Sequence, residues 1–163
     1  MRSTVIIGLG NPVLADDGVG LRVAAELRRR LAGRSGVTTV DLYSGGMWLM
    51  EAMAGHQRAI VIDAIVSGGV AGAVYRLGLH DLPHTRTADS THDASLPVAL
   101  ELGRAAGVPL PGDVQIWAVE AADVETFSER LTPQVERAVP RVVEQVLMDL
   151  DETGLARPGG QNQ

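Results

Sequence analysis

Residues 5–20 read VIIGLGNPVLADDGVG. Val5, Ile6 and Ile7 form an apolar run suited to a buried strand. Gly8, Gly10, Asn11 and Pro12 end that strand in a tight turn. A short apolar interval leads to two adjacent carboxylates, Asp16 and Asp17. Gly18 and Gly20 let the backbone pass close to whatever lies there. From Val19 the pattern becomes helical. A first strand, an acidic loop and a first helix open an α/β domain, and in open α/β sheets such loops lie where ligands bind.

The strand–helix alternation continues through the chain. Strand one is expected over residues 3–8 and helix one over about 18–31. Val19, Val23, Leu27 and Leu31 mark the buried face of that helix, and Arg28-Arg29-Arg30 belong to its solvated side. Strand two covers 37–41 and a short helix 47–54. Strand three, the AIVIDA stretch, covers 59–64, and strand four 73–77. Too few residues separate strands three and four for a parallel crossover, so they should be antiparallel. Residues 79–91 form a polar loop with His80, His84, Asp89 and Ser90. Pro97 fits only the first turn of a helix, so the third helix starts between residues 93 and 96, just after His92. Strand five covers 114–119 and ends at Glu120. Thr132-Pro133 reads as an N-cap with proline at the first helical position. The stripe Val135, Val139, Val142, Val143, Val146, Leu147 and Leu150 follows, with a kink expected at Pro140. The alternation predicts a three-layer α/β/α domain with a mixed five-stranded sheet, phosphorylase/hydrolase-like in class. One domain is expected over residues 1–153, with 154–163 as a disordered tail.

Composition excludes several functions. The chain has 163 residues, 45% of them hydrophobic, and 19 glycines, which suits one globular domain with a real core. A formal net charge of −6 argues against nucleic acid or an anionic membrane as the main partner. With no cysteine there is no disulfide, thiolate zinc site or cysteine nucleophile. No apolar run approaches the ~20 residues that cross a bilayer. The opening residues do not read as a signal peptide, so a cytoplasmic protein is expected. Val13 stands where the dinucleotide fingerprint needs its third glycine, and no HExxH, P-loop or GxSxG motif occurs.

The carboxyl ends of parallel strands share one rim. Asp16 and Asp17 follow strand one, Asp41 ends strand two and Asp63 ends strand three, while His92 precedes a helix. Three or four carboxylates and one imidazole directed to one crevice suit a borderline divalent metal such as nickel or zinc, or acid–base chemistry. Singly, each has a plainer reading. Asp16 and Asp17 suit a helix N-terminus, Asp41 and Asp63 suit turns, and a lone histidine is more often structural.

On these residues the chain resembles the hydrogenase maturation proteases, endopeptidases that trim the C-terminal tail of the large subunit of nickel–iron hydrogenases. GLGNPVLADDGVG matches the first motif of that family, VIDAIVSG the second and STHDASL the third. IWAVE and LTPQVERAV match later segments, so the likeness spans about residues 5–150. It implies that Asp17, Asp63 and His92 meet metal, with Asp17 where the family often has glutamate. The metal would be nickel already loaded into the precursor large subunit, not a permanent cofactor. The resemblance leaves hydrolysis to a metal-polarised carbonyl or to a water activated by an acid such as Asp41 or Asp16. The family has been classed as aspartic-type. After strand two the usual Asp-Gly-Gly is replaced by Asp41-Leu42-Tyr43-Ser44-Gly45-Gly46.

Two other functions compete. Peptidyl-tRNA hydrolase also opens with GLGNP, but Asp16-Asp17-Gly18 stands where its Thr-Arg-His-Asn run is expected. A non-catalytic nickel-binding assembly factor could use the same three ligands.

Overall fold

The computed structural model describes residues 2–79 and 96–154. The elements are β1 (Thr4–Leu9), a 3-10 turn (Ala15–Gly18), α1 (Val19–Arg30), β2 (Val37–Leu42), α2 (Met47–Met53), β3 (Arg58–Ile65), β4 (Val74–Gly78), α3 (Leu96–Ala105), β5 (Asp113–Glu120) and α4 (Pro133–Gly154). The five strands form one sheet in the order β2-β1-β3-β5-β4. Four run parallel, and β4 runs antiparallel along β5.

Strand composition follows position in the sheet. β1 and β3 are buried along their whole length and read as continuous apolar runs, as strands covered on both faces do. β2, at an edge, is only partly buried. Alternation divides the core in two. Ile6, Ile60, Ile62, Trp117 and Val119 pack against α1 and α4. Val5, Ile7, Val61, Val114 and Ile116 pack against α2 and α3. The outcome is the expected three-layer domain with a mixed five-stranded sheet.

β4 does run opposite to β3, but the two are not neighbours, because β5 lies between them. The short connection from β3 crosses the end of β5, where Gly72 N–H donates to Glu120 O and Glu120 N–H to Ala73 O, both at 2.8 Å. Placing β5 between β3 and β4 pairs its apolar run with β3 over eight residues, Arg58↔Asp113 to Ile65↔Glu120. Pro97 is the second residue of α3, where a missing N–H costs least. Pro140 lies inside α4, which continues as helix through it. Among the described residues no helix is long and apolar enough to cross a membrane. The expected tail, from residue 155 onward, lies outside the described residues.

Helix α1 lies very close to the sheet. A Cβ on Gly20 would stand 2.5 Å from the carbonyl oxygen of Leu9 and closer still to that of Ile62. Only glycine lets the helix start there, directly over the ends of β1 and β3.

Candidate active site

The turn between β1 and α1 is built around Asn11. Its side-chain Oδ1 accepts the Val13 N–H at 3.1 Å, and its backbone N–H donates to Asp17 Oδ2 at 3.0 Å. Ala15 then takes a left-handed φ of 47°, unusual for a residue with a side chain. Backbone bonds to the segment after β5 hold it there: Ala15 N–H to Ser128 O at 2.8 Å and Ser128 N–H to Val13 O at 3.0 Å. Asp16 and Asp17 follow in the 3-10 turn, 0% and 4% exposed.

The two aspartates face different partners. Asp17 Oδ2 takes the Asn11 N–H. Asp16 turns toward the connection between β5 and α4. Its Oδ2 accepts Ala122 N–H and Asp123 N–H, both at 2.9 Å, and its Oδ1 accepts Thr132 N–H at 2.7 Å. The Thr132 hydroxyl donates to it as well, at 2.9 Å from Oδ2. Burying a carboxylate costs several kcal/mol unless its lone pairs are filled, and charge-assisted donors of this kind fill them. Thr132 directly precedes α4, as expected, but its hydroxyl is given to Asp16 and not to the first N–H groups of the helix.

Asp63 is fully buried near the carboxyl end of β3, where its Oδ1 accepts the Ala64 N–H at 2.9 Å. The 3-10 turn packs against β3. Asp17 and Asp63 thus belong to the carboxyl ends of adjacent parallel strands, joined by the close approach of Gly20 to Ile62.

Asp41 does not join them. It is in register with Gly8, which is in register with Ile62. Its side chain therefore lies on the α1–α4 side of the sheet, and strand alternation places Asp63 on the other side. There Asp41 Oδ1 accepts from Arg28 of α1 at 2.8 Å in a half-exposed ion pair. Among the described residues, no three His, Cys, Asp or Glu side chains form a group able to hold a metal ion. Two buried carboxylates suit a hard or borderline cation but leave it short of ligands. His92 lies outside the described residues, as do His80, His84 and Asp89.

One carboxylate on this rim escaped the site reading. Glu120, 1% exposed, ends β5 in register with Ile65 and lies on the Asp63 side of the sheet. Its Oε1 accepts the Ser67 N–H at 2.8 Å and its Oε2 the Ser67 hydroxyl at 2.6 Å, which secures the loop after β3. The rule that picked out Asp63, an acid at the carboxyl end of a parallel strand, also applies to it. In the connection after β5, the Thr126 hydroxyl, followed by the Thr126 and Glu125 N–H groups, holds the Asp123 carboxyl below its usual range. The N–H bonds are both 3.0 Å.

Residues 21–149 match the family model described as hydrogenase maturation protease. The chain is 31% identical over 153 residues to the hydrogenase 2 maturation protease of Escherichia coli (strain K12), covering 93% of this chain and 92% of that protein. It is 25% identical to the hydrogenase expression/formation protein HupD of Thiocapsa roseopersicina, covering 93% of this chain and 69% of that one. The solved structure of the hydrogenase maturating endopeptidase HybD from E. coli superposes with a TM-score of 0.77 at 28% identity, covering 94% of each chain.

Proposed function

The chain belongs to the hydrogenase maturation protease family, and on that premise we propose that it removes the C-terminal extension of a nickel–iron hydrogenase large subunit after nickel insertion. The observation that carries this reading is the pair of buried carboxylates, Asp17 and Asp63, at the ends of adjacent parallel strands. Carboxylate oxygens placed together on one rim of a parallel sheet suit a divalent cation, which favours a role in meeting one. In this reading the cation is the nickel held by the precursor. Asp17, Asp63 and His92 contact it, and His92 supplies the nitrogen ligand that favours nickel over harder ions. Nickel is then part of the substrate, and cleavage reports that it has been loaded.

Hydrolysis needs a water activated against the scissile carbonyl, with its proton taken up by a base and passed to the leaving amine. Asp41 is our proposed acid–base group, which retains the aspartic-type classification; its side chain starts from the opposite face of the sheet to Asp63, but it stands at the same carboxyl rim, one residue from the end of β2. Of the acids singled out it is the one solvent reaches, its side chain being 34% exposed. It would act after release from Arg28. The burial of Asp16 and its four donor groups support a different task. The family membership supports a cytoplasmic enzyme.

Incubation with nickel-loaded precursor tests the reading. A large subunit shortened at its C-terminus, with nickel-free precursor left intact, is the expected result. Tight binding at unchanged length would instead identify a nickel-binding assembly factor.

A further inference from the structure

Asp16 and its neighbour Asp17 both stand in the 3-10 turn after β1, yet only Asp17 enters the proposed metal set. All the donors given above for Asp16 come from one segment, Ala122 to Thr132, between β5 and α4. The Asp16 N–H donates back to Asp123 O at 2.9 Å. Together with the paired bonds between residues 13–15 and Ser128, the segment after β5 is stitched to the turn along its length. These bonds also hold Ala15 in its left-handed conformation, which an unconstrained chain would leave at a gain of about 1–2 kcal/mol. A 3-10 turn advances three residues per turn, so successive side chains point about 120° apart. Fixing the Asp16 carboxylate outward toward Ala122 and Thr132 therefore fixes the direction in which Asp17 points.

We infer that Asp16 is a positioning residue: clamped by the segment 122–132, it orients the Asp17 carboxylate, so the connection between β5 and α4 controls the metal-meeting site. This inference rests on the reading of Asp17 as a residue that meets nickel. It also assigns the β5–α4 connection a role at the site, although the connection itself supplies none of the proposed ligands.

The test uses Asp16→Asn, which loses acceptor capacity on one side of the group, and Thr132→Val, which removes only the hydroxyl. Val143→Ala, in the core on α4, is the control for general destabilisation. Two quantities are read on the full chain. The first is exchange of the Asn11 amide, which donates to Asp17 Oδ2, by site-resolved hydrogen exchange. The second is affinity for nickel(II) alone, by titration calorimetry. Asp16→Asn is expected to speed Asn11 exchange and weaken nickel(II) binding by about tenfold or more, the usual effect of removing a residue that orients a ligand. Thr132→Val should move both in the same direction by less, and Val143→Ala neither. If Asp16→Asn does not fold, Thr132→Val carries the test. Wild-type Asn11 exchange in these variants overturns the inference. So does an equal response in Val143→Ala or, where Asp17→Asn itself lowers nickel(II) affinity, faster exchange with unchanged nickel affinity in Asp16→Asn. Asp17→Asn separates the two ideas. If it binds nickel(II) like wild type, the metal reading of Asp17 falls, and Asn11 exchange alone decides whether Asp16 positions Asp17.

Discussion

Gly20→Ala puts one methyl group where α1 meets the sheet. The new Cβ would stand 2.5 Å from Leu9 O and nearer to Ile62 O, whereas ordinary contact begins at 3.4 Å. Both obstacles are backbone carbonyls of central strands, so neither can swing aside as a side chain would. The first turn of α1 must retreat by about 1 Å, or the strand ends must give way by as much. Overpacking of this kind costs about 1–3 kcal/mol. The better helix propensity of alanine returns at most about 1 kcal/mol, and less at the second residue of a helix. A net loss of about 1–2 kcal/mol is therefore expected, read as a lower midpoint in urea with an unchanged slope.

The consequence for function is larger than that for stability. Ile62 O belongs to the peptide that leads into Asp63, and Gly20 follows Asp17 by three residues. The substitution thus drives apart the two carboxylates proposed to meet nickel. Metal–ligand distances tolerate only about 0.2 Å, so a displacement near 1 Å exceeds that limit several-fold. Processing of nickel-loaded precursor should fall by about a hundredfold or more, since misplacement of about 1 Å costs on that order. Gel analysis of precursor cleavage, with folding verified by circular dichroism, reads the effect. Wild-type processing, with stability within about 0.5 kcal/mol of wild type, would refute the idea that this contact sets the spacing of Asp17 and Asp63.

Four further outcomes are expected. Arg58, 1% exposed, bonds Asp149, Asp113 and Thr153 at the amino end of β3; Arg58→Met should cost about 3 kcal/mol in urea unfolding, the lower end for a broken buried pair because Arg76 still holds Asp149, and leave cleavage per folded molecule unchanged. Asp41→Asn should abolish cleavage but not precursor binding, with a stability change below about 1 kcal/mol because its ion pair with Arg28 is half exposed; normal cleavage would remove Asp41 from the mechanism. His92→Ala should abolish processing of nickel-loaded precursor with little loss of stability, and processing at the normal rate would reject its role as the nitrogen ligand. The Asp123 carboxyl is held below its usual value by Thr126 and Glu125, so its contribution to loop order is complete above the ordinary carboxylate range and is lost as pH falls through the lowered value; exchange at the Glu125 and Thr126 amides, corrected for its intrinsic pH dependence, should rise over that acid interval in wild type and not in Asp123→Asn.

The layered fold was legible because its signals are local. Continuous apolar runs mark β1 and β3, the 3.6-residue stripe marks α1 and α4, and Thr132-Pro133 marks where α4 begins. The slot of β5 was not legible. Short connections restrict strand direction, but pairing order depends on which apolar faces fit together, a tertiary property. The brace on Asp16 was hidden for the same reason. Its donors lie more than 100 residues away, and three of the four are backbone N–H groups, which every non-proline residue carries. Thr132 was read for a local capping role, and the bonds its hydroxyl makes to Asp16 have no local signature.

The acids on the rim show how far sequence spacing can carry a site. Asp41 and Asp63 each lie near the carboxyl end of a parallel strand, so a count of strand-end acids groups them. Whether two such residues share a face depends on parity through the register, and a shift of one residue reverses it. The register Asp41↔Gly8↔Ile62 sets Asp41 on the face opposite Asp63. Asp16 and Asp17 show the same limit inside a turn. Read as a pair of adjacent acids, they look interchangeable. The 3-10 geometry separates their directions by about 120°, and the segment after β5 supplies donors for one of them only. Adjacent carboxylates of like charge would otherwise repel each other in a buried turn. Directing one into the N–H donors after β5 and the other onto the Asn11 N–H relieves that repulsion. It also leaves the acidic motif with two distinct parts, a brace at Asp16 and a candidate ligand at Asp17.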